Sequence, residues 1–182
     1  MRVVAGIARG TVLKTPDGMA TRPTADRVKE AMFSIIQNDL PLAKVLDLFG
    51  GTGQLGIEAL SRGADSAVFV DESDSACRLI RENLKRTKFD TKSKVIRSDY
   101  LNYLKHAAEK FDIILLDPPY AEVFLETSLK MITEIDILQS GGIIVTERPF
   151  GKELSCDFSG YSRSKEYKYG KTVLTLFRKE PV

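Results

Sequence analysis

Phe111-Asp112-Ile113-Ile114-Leu115-Leu116-Asp117-Pro118-Pro119-Tyr120 sets an apolar, β-branched run directly before a carboxylate and two prolines. A short run of this kind, closed by residues that cannot continue a ladder, reads as a buried strand of a parallel sheet whose carboxyl end carries chemistry. The two prolines remove two backbone donors and stiffen the chain after Asp117. Nearby main-chain carbonyls can then face outward as acceptors beside a carboxylate, with the Tyr120 ring next to them. Acceptors and a flat ring suit a planar group bearing an NH2, and an exocyclic amine on a nucleobase fits better than a sugar or a lipid. A proline turn with a capping Asp and a core Tyr would use the same four residues, so the rest of the chain has to decide.

Outward from that strand, apolar runs alternate with stretches of helical length. The strand candidates are Lys44 to Phe49, Ser66 to Val70, Lys94 to Arg97, Phe111 to Leu116 and Gly142 to Glu147. This alternation predicts a parallel α/β sheet with right-handed crossovers. Tyr161 to Tyr167 and Thr172 to Arg178 are strand-like and joined by a short turn through Gly170, an antiparallel hairpin that brings the sheet to seven strands. Upstream, Thr24 can cap a helix in which Val28, Ala31, Met32, Ile35 and Ile36 recur at helical spacing. Arg2 to Lys14, with glycines at Gly6 and Gly10, reads as a small basic hairpin outside the main sheet.

The first strand ends in Asp47-Leu48-Phe49-Gly50-Gly51-Thr52-Gly53 and runs into a helix from Gln54 to Arg62. Glycines here let the backbone approach a ligand, and N–H groups at the helix start are available to it. Asp71, followed by Glu72, closes the next strand 20 positions after Gly51, the separation expected of a carboxylate that binds ribose hydroxyls. Gly51-Thr52-Gly53-Gln54-Leu55-Gly56 also satisfies the dinucleotide fingerprint, so a nicotinamide cofactor competes. Asp47, just ahead of the turn, argues against it: a carboxylate repels a pyrophosphate but suits the ammonium group of the methionine half of S-adenosylmethionine. Asp99, followed by Tyr100, can accept from an adenine amino group. Asp47, Asp71, Asp99 and Asp117 thus occupy four successive strand ends, although Asp is also a common helix cap.

The 182 residues, 43% hydrophobic and 29% charged, suit one globular domain with a complete core. The chain shows no basic-plus-apolar leader and no apolar stretch approaching the roughly 20 residues of a membrane helix, so a soluble, cytoplasmic protein without a membrane partner is expected. Cys77 and Cys156 lie far apart without a Cys-x-x-Cys, which points away from disulfides or zinc; Cys77 falls on a helix face with Ile80 and Leu84. The net charge of +2 divides unevenly, with +3 on residues 1–30, +3 on residues 151–182 and −4 between them. Basic ends on an acidic body form a phosphate-binding face if the fold brings them together. The single histidine, His106, sits on a helix between Tyr103 and Glu109, where a general-base role is the weaker reading.

Asp47-Leu48-Phe49-Gly50-Gly51-Thr52-Gly53 followed by Asp117-Pro118-Pro119-Tyr120 resembles the S-adenosylmethionine-dependent amino-methyltransferases. Arg2-Val3-Val4-Ala5-Gly6-Ile7-Ala8-Arg9-Gly10, the Thr21-Arg22-Pro23-Thr24 segment with Asp26 and Arg27, and Tyr169-Gly170-Lys171-Thr172 are similar to the RsmD-type family. That family methylates the exocyclic N2 of a guanine in small-subunit (16S) ribosomal RNA. The resemblance implies a Rossmann-like methyltransferase fold over residues 24–182 and a basic RNA-contacting extension at residues 1–23. It implies S-adenosylmethionine held by Asp47, Phe49, Gly50, Gly51, Gly53, Asp71, Glu72, Asp99 and Tyr100, and catalysis by Asp117, Pro118, Pro119 and Tyr120 without a metal. The implied partner is small-subunit ribosomal RNA or a ribosome assembly intermediate, with Arg2, Arg9, Arg22, Arg27 and Lys171 as phosphate contacts. Two other functions stay open: an adenine-N6 or cytosine-N4 methyltransferase on DNA or RNA, and a cofactor-sensing RNA-binding module without turnover.

Overall fold

The computed structural model describes residues 1–16, 23–119, 121–152, 154 and 158–181. Helix α1 (Pro23–Ile35) precedes five parallel strands, β1 (Lys44–Asp47), β2 (Ser66–Asp71), β3 (Ser93–Arg97), β4 (Phe111–Leu116) and β5 (Leu138–Pro149). The crossovers carry α2 (Gln54–Ser61), α3 (Asp74–Thr87), α4 (Tyr100–His106) and α5 (Ala121–Ile135). The chain finishes with β6 (Tyr161–Arg163), β7 (Tyr167–Tyr169) and β8 (Thr172–Lys179).

The sheet runs β3-β2-β1-β4-β5-β8-β6, with β7 also on β8. Seven strand positions are filled, the last by β6 and β7 end to end, and β8 is antiparallel to β5. Ser164 separates the two edge segments: its N–H donates to the Leu176 carbonyl and its Oγ accepts from the Leu176 N–H.

Strand order reverses between β1 and β4. Successive crossovers therefore leave in opposite directions and pack on opposite faces, which opens a crevice at the carboxyl ends of these two strands. Alternate residues divide accordingly: Val45, Phe69, Ile113, Leu115 and Val145 meet α1, α2 and α3, whereas Leu46, Val68, Ile114, Leu116 and Ile144 meet α4 and α5. Gly56 sets the depth of α2 on the sheet, because a Cβ there would stand 2.3 Å from Phe69 Cε1. The third glycine of the fingerprint thus answers to helix–strand packing. Among the described residues no helix is long and apolar enough to cross a membrane.

Residues 1–16 lie outside the sheet yet are fastened to it. The Arg2–Val12 antiparallel bridge closes a small loop whose Val4 and Ala5 N–H groups donate to Glu58 of α2 at 2.8 and 2.9 Å. Asn83 of α3 accepts from Lys14 N–H and donates to the Lys14 and Thr52 carbonyls, joining the loop to the turn after β1.

Candidate active site

The carboxyl ends of β1 to β4 open on one cavity of about 920 Å³. Asp47, Phe49, Gly50, Gly51, Asp71, Glu72, Asp99, Tyr100, Asp117, Pro118 and Pro119 all line it. Residues from four separate stretches of chain meet here because parallel strands deliver every carboxyl end to one rim.

Asp47, on the last position of β1, is buried; its Oδ2 accepts from Gly56 N–H at 3.1 Å, while Oδ1 has no hydrogen-bond partner. Burial pushes its carboxyl up to about 7, with Asp117 and Asp71 adding to the rise and the Gly56 N–H opposing it. An unpartnered carboxylate oxygen on a cavity wall is a site for a cationic or donor group. Asp71 accepts from Gly51 N–H through one oxygen and from Ser73 N–H through the other, at 2.8 and 2.9 Å. It therefore holds the glycine turn and the start of α3 together as well as facing the cavity. Asp99 caps α4 by accepting from Asn102 N–H at 2.9 Å. Asp117 follows β4 directly, and burial raises its carboxyl to about 6.

Gly53 is absent from the cavity lining among the described residues. It forms the N-cap of α2 with φ 79°, a left-handed conformation that favours glycine, so its part is to turn the chain. The Phe49, Tyr100 and Phe124 rings make an apolar wall, with centroids 5.3 Å apart for Phe49–Tyr100 and 5.2 Å for Tyr100–Phe124. Phe124 was not foreseen, since it lies inside an amphipathic helix where an aromatic reads as core. Met1 and Pro16 also line the cavity, which brings the N-terminal segment to its edge.

His106 lies outside the cavity, its Nδ1 2.8 Å from the Asn102 carbonyl. Cys77 is buried as expected, with Sγ donating to the Asp71 carbonyl. Arg2, Arg9 and Arg27 are exposed on the N-terminal loop and α1, and Lys171 is exposed in the turn between β7 and β8. Tyr120, Arg22, Cys156 and the Thr24 side chain fall outside the described residues. Among those described, no group of three or more His, Cys, Asp or Glu could hold a metal ion.

The family model described as "Conserved hypothetical protein 95" matches residues 1–178. A Bacillus subtilis protein named "Putative rRNA methyltransferase YlbH" is 38% identical over 98% of this chain and 99% of its own length. The Escherichia coli K12 "Ribosomal RNA small subunit methyltransferase D" is 28% identical over 99% of this chain and 90% of its own. The solved structure titled "Putative methyltransferase yhhF from Escherichia coli" superposes with a TM-score of 0.91 at 26% identity, covering 100% of this chain and 99% of that one.

Proposed function

We propose that this chain, which belongs to the Conserved hypothetical protein 95 family and is an RsmD-type methyltransferase, methylates the N2 amino group of a guanine in small-subunit ribosomal RNA from S-adenosylmethionine. The observation that carries the reading is Asp117, a carboxylate with a raised pKa at the crevice beside β1, two strand positions beyond the β4 partner of Asp47. The names of the Bacillus and Escherichia relatives supply the RNA class.

The set of acceptors suits the cofactor. Asp47 Oδ1, buried and unpartnered, fits an ammonium group; Asp71 at the end of β2 fits ribose hydroxyls; Asp99, beside the aromatic wall, fits an adenine amine. When bound, S-adenosylmethionine supplies an electrophilic methyl on a sulfonium. The chain's own part is to position and polarise the acceptor. A guanine N2 lone pair is delocalised into the ring, so Asp117 and the Pro118 carbonyl, accepting the two N2 protons, draw the nitrogen toward tetrahedral geometry. Once the methyl group has transferred, Asp117 would take the surplus N2 proton and pass it to water. Tyr120 stacks on the base in this reading, while Arg2, Arg9, Arg22, Arg27 and Lys171 contact phosphates around it.

Nucleoside mass spectrometry of small-subunit ribosomal RNA from a strain lacking the gene tests the proposal. One N2-methylguanosine should disappear and return with the wild-type gene; loss of an N6-methyladenosine or N4-methylcytidine instead, or no loss, overturns it.

A further inference from the structure

Beside Asp117 the sheet carries a second carboxylate that the mechanism above leaves unused. Parallel pairing sets Leu115 against Val145 and Leu116 against Thr146, so the next step places Asp117 beside Glu147. Alternation through Ile113 and Leu115 on β4, and through Ile143 and Val145 on β5, carries both carboxylates to the face covered by α1, α2 and α3.

The surroundings of Glu147 give it no structural task. Its antiparallel partner is Leu174, whose own partner across β8 is Tyr167. The row from Asp117 outward is therefore Glu147, Leu174 and Tyr167, with Tyr169 opposite Thr172 one step nearer the rim. Arg148, the adjacent cation, lies on the opposite face and is committed to Glu166 and to the Lys152 carbonyl. Among the described residues Glu147 has neither a hydrogen bond nor an ion pair, and burial, with the charge of Asp117 adding to it, raises its carboxyl to about 8. A largely sequestered acid without a partner is costly, and such residues concentrate where a ligand completes the set. Glu147 does not line the cofactor cavity, so the ligand it faces stands on the β5 side of Asp117, opposite the cofactor.

We infer that Glu147 reads the target base, accepting the guanine N1–H while Asp117 accepts from N2. The inference rests on the guanine-N2 reading above and names how that base is chosen. Guanine alone among the common bases places a ring N–H donor beside an exocyclic amine, and two adjacent carboxyl groups match those two parallel donors. Adenine and cytosine present an acceptor next to their amines and would face the ionised Glu147, the form present above about pH 8, with a repulsive lone pair. One acid on β4 thus selects an amine, and its neighbour on β5 selects the base that carries it.

2-Aminopurine keeps the 2-amino group but has an acceptor at N1, so it separates the two roles. Small subunits are reconstituted with guanine or 2-aminopurine at the position mapped by the deletion experiment, and kcat/KM is measured above about pH 8, where Glu147 is ionised, for wild type and Glu147→Gln. Wild type should prefer guanine by about 10- to 100-fold. Glu147→Gln, whose amide can donate to the 2-aminopurine N1, should bring the ratio near one or below it through a loss on guanine and a gain on 2-aminopurine. Glu147→Asp, which keeps the acceptor, should retain the preference for guanine. An unchanged ratio in a folded Glu147→Gln protein that still makes N2-methylguanosine overturns this inference alone. Absence of N2-methylguanosine in every arm, wild type included, overturns the proposed function instead.

Discussion

Glu58→Gln should cost this protein a large part of its stability and should do so in a pH-dependent way. Glu58 is fully buried in α2 and accepts from Val4 N–H, Ala5 N–H and Arg62 Nε at 2.8 to 2.9 Å, with Lys29 Nζ at 3.6 Å. Glutamine has one acceptor oxygen where the carboxylate has two, so its NH2 must confront a donor. Lys29, 2% exposed, loses its nearest counter-charge at the same time. Breaking a buried pair in this way costs about 3–5 kcal/mol. At about 2–4 °C per kcal/mol for a chain of this size, the melting temperature should fall by roughly 6–20 °C. Burial already holds the Lys29 ammonium below its ordinary pKa, with Glu58 opposing that shift. Without Glu58 the folded-state pKa drops further, the unfolded chain binds the extra proton, and stability rises with pH. Thermal unfolding followed by circular dichroism should therefore show the deficit shrinking as pH rises toward the ordinary lysine pKa of about 10.4. A melting temperature within about 2 °C of wild type at neutral pH, or a deficit that does not shrink on the alkaline side, would refute the assignment of Glu58 as the buried anion that pins residues 1–16.

Asp71→Ala should weaken S-adenosylhomocysteine binding at least about tenfold in calorimetry, because the residue both faces the cavity and holds Gly51 and Ser73; preferential binding of NADH by the wild-type protein would sink the cofactor assignment. Gly56→Ala forces a methyl against the Phe69 ring and should destabilise by about 1–3 kcal/mol in urea unfolding; an unchanged midpoint would show that α2 can shift freely on β2. Charge reversal at Arg9 and Arg22 should weaken RNA binding and flatten its dependence on log salt by about one unit for each lost contact, with cofactor affinity retained. Loss of cofactor with RNA affinity intact would move Arg22 into the cofactor pocket.

The parallel core was legible because its strands are short apolar runs with polar or glycine stops, and β4 is bounded by Phe111 and Leu116 as the pattern predicts. β1 stops at Asp47, earlier than the apolar run, because the chain turns after the Leu48 N–H bond to the Leu115 carbonyl and Phe49 faces the cavity. β5 begins at Leu138, ahead of the apolar run, since Gln139 and Ser140 break the pattern and a register shift between Phe111 and Ile113 absorbs the extra residues. The edge hairpin hides its break at Ser164 because that interruption depends on pairing with Leu176, which alternation does not encode.

Of the site, the strand-end carboxylates could be found because each Asp closes or follows an apolar run, although at Asp99 the same signal also marks the N-cap of α4. The same signal was present at Glu147, the residue that closes Gly142 to Glu147, and at Glu58, a lone charge within Leu55-Gly56-Ile57-Glu58-Ala59-Leu60. Neither could be assigned a role without knowing its neighbour: Asp117 across the ladder for one, the N-terminal loop for the other. Nor does sequence separation show that Met1 and Pro16 reach the cavity, because that approach is fixed by Glu58 and Asn83 from two different helices.

The central claim is that Asp117 acts on the target amine and not on the cofactor, and methyl transfer by Asp117→Ala tests it most directly. Small subunits from the deletion strain are incubated with S-adenosylmethionine labelled in the methyl group, and single-turnover rates are read alongside S-adenosylhomocysteine affinity. The variant should lose about 100-fold or more in rate while its affinity stays within about threefold of wild type. The wild-type rate should fall as pH drops below about 6, where the carboxylate takes up its proton. A folded Asp117→Ala protein that transfers methyl groups at near wild-type rate, or one whose only defect is cofactor binding, contradicts the account.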